Sequence, residues 1–181
     1  MESSLKNMVV TLLVITLVSA SAVGFVYKIT AEAIALVLPT FDNDPGAAKT
    51  VQTVDGKEVV VYTATQGQDT VGYAVETFTN TGFGGEIKLM VGFLKDGTIN
   101  RVETLSHNET PGLGNKIERS KSDFAVQFEG KNPADFKLAV RKDGGDVDAI
   151  TASTISSRAF SDAVSRAYEV YKSIQNSGNH E

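Results

Sequence analysis

The sequence predicts an α+β fold: a single extracytoplasmic domain of mostly antiparallel sheet with packed helices, preceded by one N-terminal transmembrane helix. Three observations carry this. Residues 8–27 form an uncharged run of 20 residues, the length that crosses a hydrocarbon core of roughly 30 Å. From about residue 50, short stretches rich in β-branched residues alternate with Gly-containing turns. Near the C-terminus, apolar residues recur at the three- and four-residue spacing of one helix face.

Residues 1–28 are read as the membrane anchor. The only polar side chains in the apolar run are Thr and Ser, which bond back onto helix carbonyls, and Lys6 and Lys28 flank it. The alternative is a signal peptide cleaved after the small residues Ser19, Ala20, Ser21 and Ala22. The apolar run exceeds the usual signal core and continues through Val23, Phe25 and Val26, which favours a retained anchor. On either reading the rest of the chain is exported; with the anchor retained it is a single-pass protein of the cytoplasmic (inner) membrane.

Residues 29–49 are a linker in which the helix continues to about residue 38. Pro39 and the run Asp42-Asn43-Asp44-Pro45-Gly46 then break it. Residues 50–176 form the domain. Asp55-Gly56 and Asp96-Gly97 are hairpin turns among strands expected at 58–64, 71–78, 86–94 and 98–105, with a further candidate at 135–141. Phe160, Ala163, Val164, Ala167, Tyr168, Tyr171 and Ile174 mark the buried face of the C-terminal helix. Asn176 and Gly178 end it, and residues 177–181 form a polar tail.

The composition excludes several kinds of chemistry. A net charge of −5 argues against a nucleic-acid surface, which needs a dense basic patch. There is no Cys, and the 2 His residues, His107 and His180, do not make a metal cluster. Neither a Gly-x-Ser-x-Gly elbow nor a dinucleotide fingerprint is present. Redox chemistry would therefore need a bound cofactor.

Two stretches concentrate hydrogen-bonding groups. Residues 107–114 (His-Asn-Glu-Thr-Pro-Gly-Leu-Gly) follow a strand and, on composition alone, read as a surface turn. Residues 147–158 place several hydroxyls and then Arg158 before the C-terminal helix. A helix N-terminus offers unpaired N–H groups that suit a phosphate. Simple N-capping by Ser156 or Thr154 is the other reading.

Taken together, residues 82–87, 107–114 and 148–158 resemble the motifs of the FMN-binding domain family. Within it, the resemblance is to the G-type flavoprotein subunits of Rnf complexes, which are membrane-bound, ion-translocating ferredoxin:NAD oxidoreductases. In that family a flavin transferase joins FMN to a Thr hydroxyl through a phosphoester bond. The motif Asp-x-x-Ser-Gly-Ala-Thr maps its Asp onto Asp148, its Ser onto Thr151 and its acceptor onto Thr154. Ala152 stands where Gly is usual and Ser153 where Ala is usual, so a positive φ at Ala152 would be strained.

The resemblance implies an electron-carrier subunit with covalent FMN on Thr154. It assigns Glu109, Thr110, Gly112, Leu113, Gly84, Gly85, Thr151 and Ser153 to the cofactor surroundings, with no catalytic side chain and no metal. The partners implied are the other subunits of a membrane electron-transport complex, the flavin transferase and the membrane. Turnover would belong to the complex and not to the isolated chain. Alternatives are the C-type subunit of a sodium-pumping NADH:quinone oxidoreductase and a non-redox exported binding or assembly module.

Overall fold

The computed structural model describes residues 2–178; His180 and most of the tail read at 177–181 lie outside the described residues. Two compact units divide between Glu32 and Ala33.

The first unit holds most of helix α1 (Glu2–Val37). The span Leu5–Val37 is long and apolar enough to cross a membrane, and its most apolar window is unburied. Thr11, Thr16 and Ser21 donate their hydroxyls to the carbonyls of Asn7, Leu12 and Leu17 at 2.8, 2.7 and 2.8 Å. These three hydroxyls are thereby satisfied inside the helix, as an apolar medium requires.

The second unit is built on five strands: β1 (Lys49–Val54), β2 (Lys57–Gln66), β3 (Asp69–Gly82), β4 (Gly85–Leu94) and β5 (Ile99–His107). Each pairs antiparallel with its neighbour in sequence, in the order β1-β2-β3-β4-β5. The β1–β2 turn places Asp55 and Gly56 at φ 50° and 74°, the left-handed pair that a two-residue hairpin needs. Strand β1 is an edge strand with mostly exposed side chains. It lacks the apolar alternation that marks its neighbours, so only its turn announces it.

Residues 135–141 do not form a strand. Phe136, Leu138 and Val140 alternate as in one, and all three pack on the core. Their backbone has no neighbouring ladder, however. Asn132 accepts the N–H groups of Asp135 and Phe136 on its carbonyl at 3.0 and 2.9 Å, and Asp146 accepts that of Lys137 at 2.8 Å. An isolated parallel bridge, Val140 to Val147, is the sheet-like contact there. The apolar period was right, but Pro133 and the Asn132 turn commit the chain to a loop.

Helix α2 (Thr154–Gly178) covers one face of the sheet. Its buried residues Ala159, Phe160, Ala163, Val164, Ala167, Val170 and Tyr171 join Val59, Val61, Val75, Leu89 and Phe93 in the larger core, while Tyr168 and Ile174 pack at its edge. Two buried strand hydroxyls fix α2 along β3. Thr77 donates to the Ala163 carbonyl at 3.2 Å, and Thr79 donates to Asp162 at 2.7 Å. The opposite face of the sheet packs on Ala33, Ile34, Val37 and Leu38. Gly92 permits this approach: a Cβ there would lie 2.0 Å from the Val37 carbonyl oxygen. That same carbonyl accepts from the Asn100 side chain at 2.8 Å, which closes the C-terminal end of α1.

Candidate functional site

A cavity of about 340 Å³ opens at the N-terminus of α2, near the lower end of the size range of small-molecule sites. Three segments wall it. The β3–β4 turn contributes Phe83, the loop after β5 contributes Glu109, Thr110, Leu113 and Gly114, and the entry to α2 contributes residues 152–156. Phe83, Leu113 and Ile155 are exposed large apolar side chains on its wall. Glu109 is the single charged residue among the lining residues.

Glu109 binds the three walls together. It is buried, at 4% exposure. Its Oε1 accepts the Gly84 N–H at 2.8 Å, and its Oε2 accepts the Ser156 hydroxyl. Its own N–H donates to His107 Nδ1 at 3.0 Å, and His107 Nε2 lies 2.8 Å from Glu118. The His107 hydrogen bond holds the Glu118 carboxyl below the usual carboxylate range. Around Glu109 the backbone is too close for side chains: a Cβ on Gly114 would lie 2.5 Å from Oε2, and one on Gly82 2.7 Å from Oε1.

The entry to α2 is a tight turn. Ser153 N–H donates to the Ile150 carbonyl at 3.0 Å, and the Ser153 carbonyl accepts the Ser157 N–H at 3.0 Å as the helix begins. The Ser157 hydroxyl bridges the turn, accepting from Ile150 N–H at 2.9 Å and donating to the Ser153 carbonyl at 3.0 Å. Ala152 takes φ 63°, a left-handed conformation natural to Gly and strained for Ala. Thr154 is the first residue of α2 and is partly buried on the cavity wall. The hydroxyls at the entry to α2 therefore differ in their commitments. Those of Ser156 and Ser157 are engaged in hydrogen bonds within the fold, and Ser153 and Thr154 line the cavity beside Ser156.

Of the residues singled out in the sequence, Glu109, Thr110, Leu113, Ser153 and Thr154 line the cavity. Gly84 stands one hydrogen bond behind it through Glu109. Gly85 at φ 101° and Gly112 at φ 77° shape their turns without lining it. Thr151 is exposed and also outside the lining. Asp148 pairs with Arg141 at 2.7 Å in solvent. Arg158 binds Asp143 through two hydrogen bonds of 2.6 and 2.7 Å, which hold Asp143 below the usual carboxylate range and raise the guanidinium. The 3₁₀ turn Arg141–Asp143 thus grips both ends of the 148–158 segment. Phe83 and Ile155 had no role assigned from sequence. A large apolar residue inside a glycine turn was the available signal for Phe83.

Residues 82–169 match the model of the FMN-binding domain, a stretch that contains all three walls of the cavity. Over these residues the chain is similar to the FMN-binding domain family. Curated relatives agree with that assignment, and each is named as the G subunit of an ion-translocating oxidoreductase complex. The protein of Shewanella piezotolerans is 45% identical over 109 residues, which is 59% of this chain and 51% of the relative. That of Cereibacter sphaeroides is 39% identical over 146 residues, 76% of this chain and 65% of the relative. That of Vibrio cholerae is 40% identical over 133 residues, 71% and 59% respectively. The chain therefore spans between 51% and 65% of the length of these relatives.

The FMN-binding domain has a site whose chemistry suits the cofactor of its name. Apolar Phe83, Leu113 and Ile155 suit a flat ring system. The start of a 25-residue helix suits a phosphate. No cation is found among the lining residues.

Proposed function

We propose that this chain is the electron-carrying, G-type subunit of an Rnf-type ion-translocating oxidoreductase complex and holds FMN through a phosphoester on Thr154. The observation that carries the proposal is the placement of Thr154 at the first position of α2, on the wall of a cavity that has a carboxylate and no cation. A free FMN phosphate is close to a dianion, and reversible sites meet such charge with Arg or Lys. A diester carries a single charge, which the helix N-terminus can accommodate. A covalent tether fits this lining better than an ionic one.

Attachment would form the Thr154 Oγ–P bond as the phosphoanhydride of a flavin dinucleotide breaks. The nucleoside monophosphate leaves with the electron pair, and the hydroxyl proton passes to a base of the flavin transferase. Bound flavin supplies transfer of one or two electrons. The protein's own part is to orient the acceptor hydroxyl and present apolar side chains to the ring. The ring edge stays unsubstituted and the wall residues Phe83, Leu113 and Ile155 are exposed, which supports exchange of electrons with neighbouring subunits.

On this reading α1 anchors the chain in the inner membrane with the domain on the extracytoplasmic side, away from the cytoplasmic flavin pool. A tether would prevent loss of the cofactor there.

The test is co-expression with a flavin transferase, followed by denaturation. Wild type is expected to show flavin fluorescence on a gel and an FMN-sized mass increase, and Ser153→Ala should keep both. Full labelling of Thr154→Ala would overturn the assignment. A C-terminal alkaline phosphatase fusion that is inactive in cells would overturn the sidedness.

A further inference from the structure

Glu109 is an unusual residue to find behind a site for a phosphate diester. It is a buried carboxylate, and among the described residues it makes no ion pair. Burying such a group is expensive unless hydrogen bonds replace its water. Packing alone would be served as well by an apolar side chain. Its two oxygens are instead committed to two donors on different elements: the Gly84 N–H beside Phe83, and the Ser156 hydroxyl in the first turn of α2. The glycines at 82 and 114 leave room for the carboxylate alone, since a Cβ at either would fall within 2.7 Å of its oxygens.

We infer that Glu109 is the positioning residue for the acceptor Thr154, acting through Ser156 and Gly84; this rests on the Thr154 reading above. Ser156 follows Thr154 by two residues on the same helical turn. Fixing the Ser156 hydroxyl fixes the rotation of that turn about the helix axis, and hence the direction of the Thr154 Oγ. The same carboxylate holds the β3–β4 turn, so Phe83 and Thr154 keep one spacing across the cavity. A reacting oxygen must be aligned closely with the incoming phosphorus, and small misplacements cost large factors in rate. The effect therefore falls on the transfer rate more than on affinity for the donor. Each carboxylate oxygen already accepts one hydrogen bond from the protein, which fixes the carboxylate between the two elements.

The test uses the purified full-length chain in detergent, a flavin transferase and flavin adenine dinucleotide, with adduct formation followed by in-gel fluorescence and normalised to folded protein by circular dichroism. Glu109→Ala is expected to lower kcat on the order of tenfold or more while the KM for the dinucleotide changes little. Glu109→Gln keeps an acceptor for Gly84 and a polar partner for Ser156, and should recover most of the rate. Ser156→Ala, a smaller change, should lower kcat in the same direction and serves where Glu109→Ala folds poorly. Wild-type kcat per folded molecule in Glu109→Ala and Ser156→Ala overturns the inference alone. A loss that Glu109→Gln does not relieve also overturns it. Absence of adduct on the wild-type chain overturns the Thr154 reading, and the inference with it.

Discussion

The Nε2 of His107 lies 2.8 Å from the Glu118 carboxylate, and this pair backs the loop that walls the cavity. Because Nδ1 accepts the Glu109 N–H, the ring proton sits on Nε2 and is donated to Glu118. This hydrogen bond is the leading cause of the lowered Glu118 pKa. A carboxyl whose pKa is lowered on folding contributes stability that is complete above its unfolded value and lost as pH falls through the folded one. The midpoint of urea unfolding should therefore show no contribution from Glu118 to its slope above the ordinary glutamate range, and a decline below it. Glu118→Gln should flatten the acid limb of that profile. An unchanged acid limb would show that the pair does not contribute.

Ala152 holds the left-handed conformation in the turn that delivers the chain to Thr154. For an L-residue that conformation costs roughly 1–2 kcal/mol, and a glycine returns roughly 0.4–1 kcal/mol of that through greater freedom of the unfolded chain. Ala152→Gly is thus expected to stabilise the domain by about 0.5–1 kcal/mol, measured by chemical denaturation. Ala152→Val should destabilise it, since a branched Cβ suits this region worst.

Phe83 is 69% exposed on the cavity wall. Its replacement by Ala should leave stability within about 0.5 kcal/mol, as for other exposed positions. If the flavin ring rests against it, the loaded variant should show a changed visible circular dichroism of the bound flavin. An identical spectrum before and after substitution would place the ring elsewhere.

Legibility of the sequence varied with the range of the cause. The inner strands and the buried face of α2 could be read because apolar period and Gly-containing turns are local signals, as at Asp55-Gly56 and from Phe160 to Ile174. Strand β1 could not, because an exposed edge strand needs no apolar alternation. The stretch 135–141 showed the alternation without a partner strand, and pairing is a property of the whole sheet. At the site, Thr151 and Thr154 are the same residue type three positions apart. The left-handed turn at Ala152 and the phase of α2 leave one in solvent and bring the other to the cavity. The double commitment of Glu109 joins residues 84, 109 and 156, a relation that no local pattern encodes.

The strand order has a consequence for the newly made chain. Every ladder joins sequence neighbours, so the sheet can zip hairpin by hairpin as it emerges. Helix α2 comes last, and its bond from Thr77 to Ala163 spans 86 residues. Until it docks, Val59, Val61, Val75, Leu89 and Val91 present a bare apolar face, the kind of surface that draws copies of a chain together. Truncation before residue 154 would make that exposure permanent, and such fragments would collect in inclusion bodies. The last 25-residue helix therefore acts as the shield that ends the period of greatest aggregation risk.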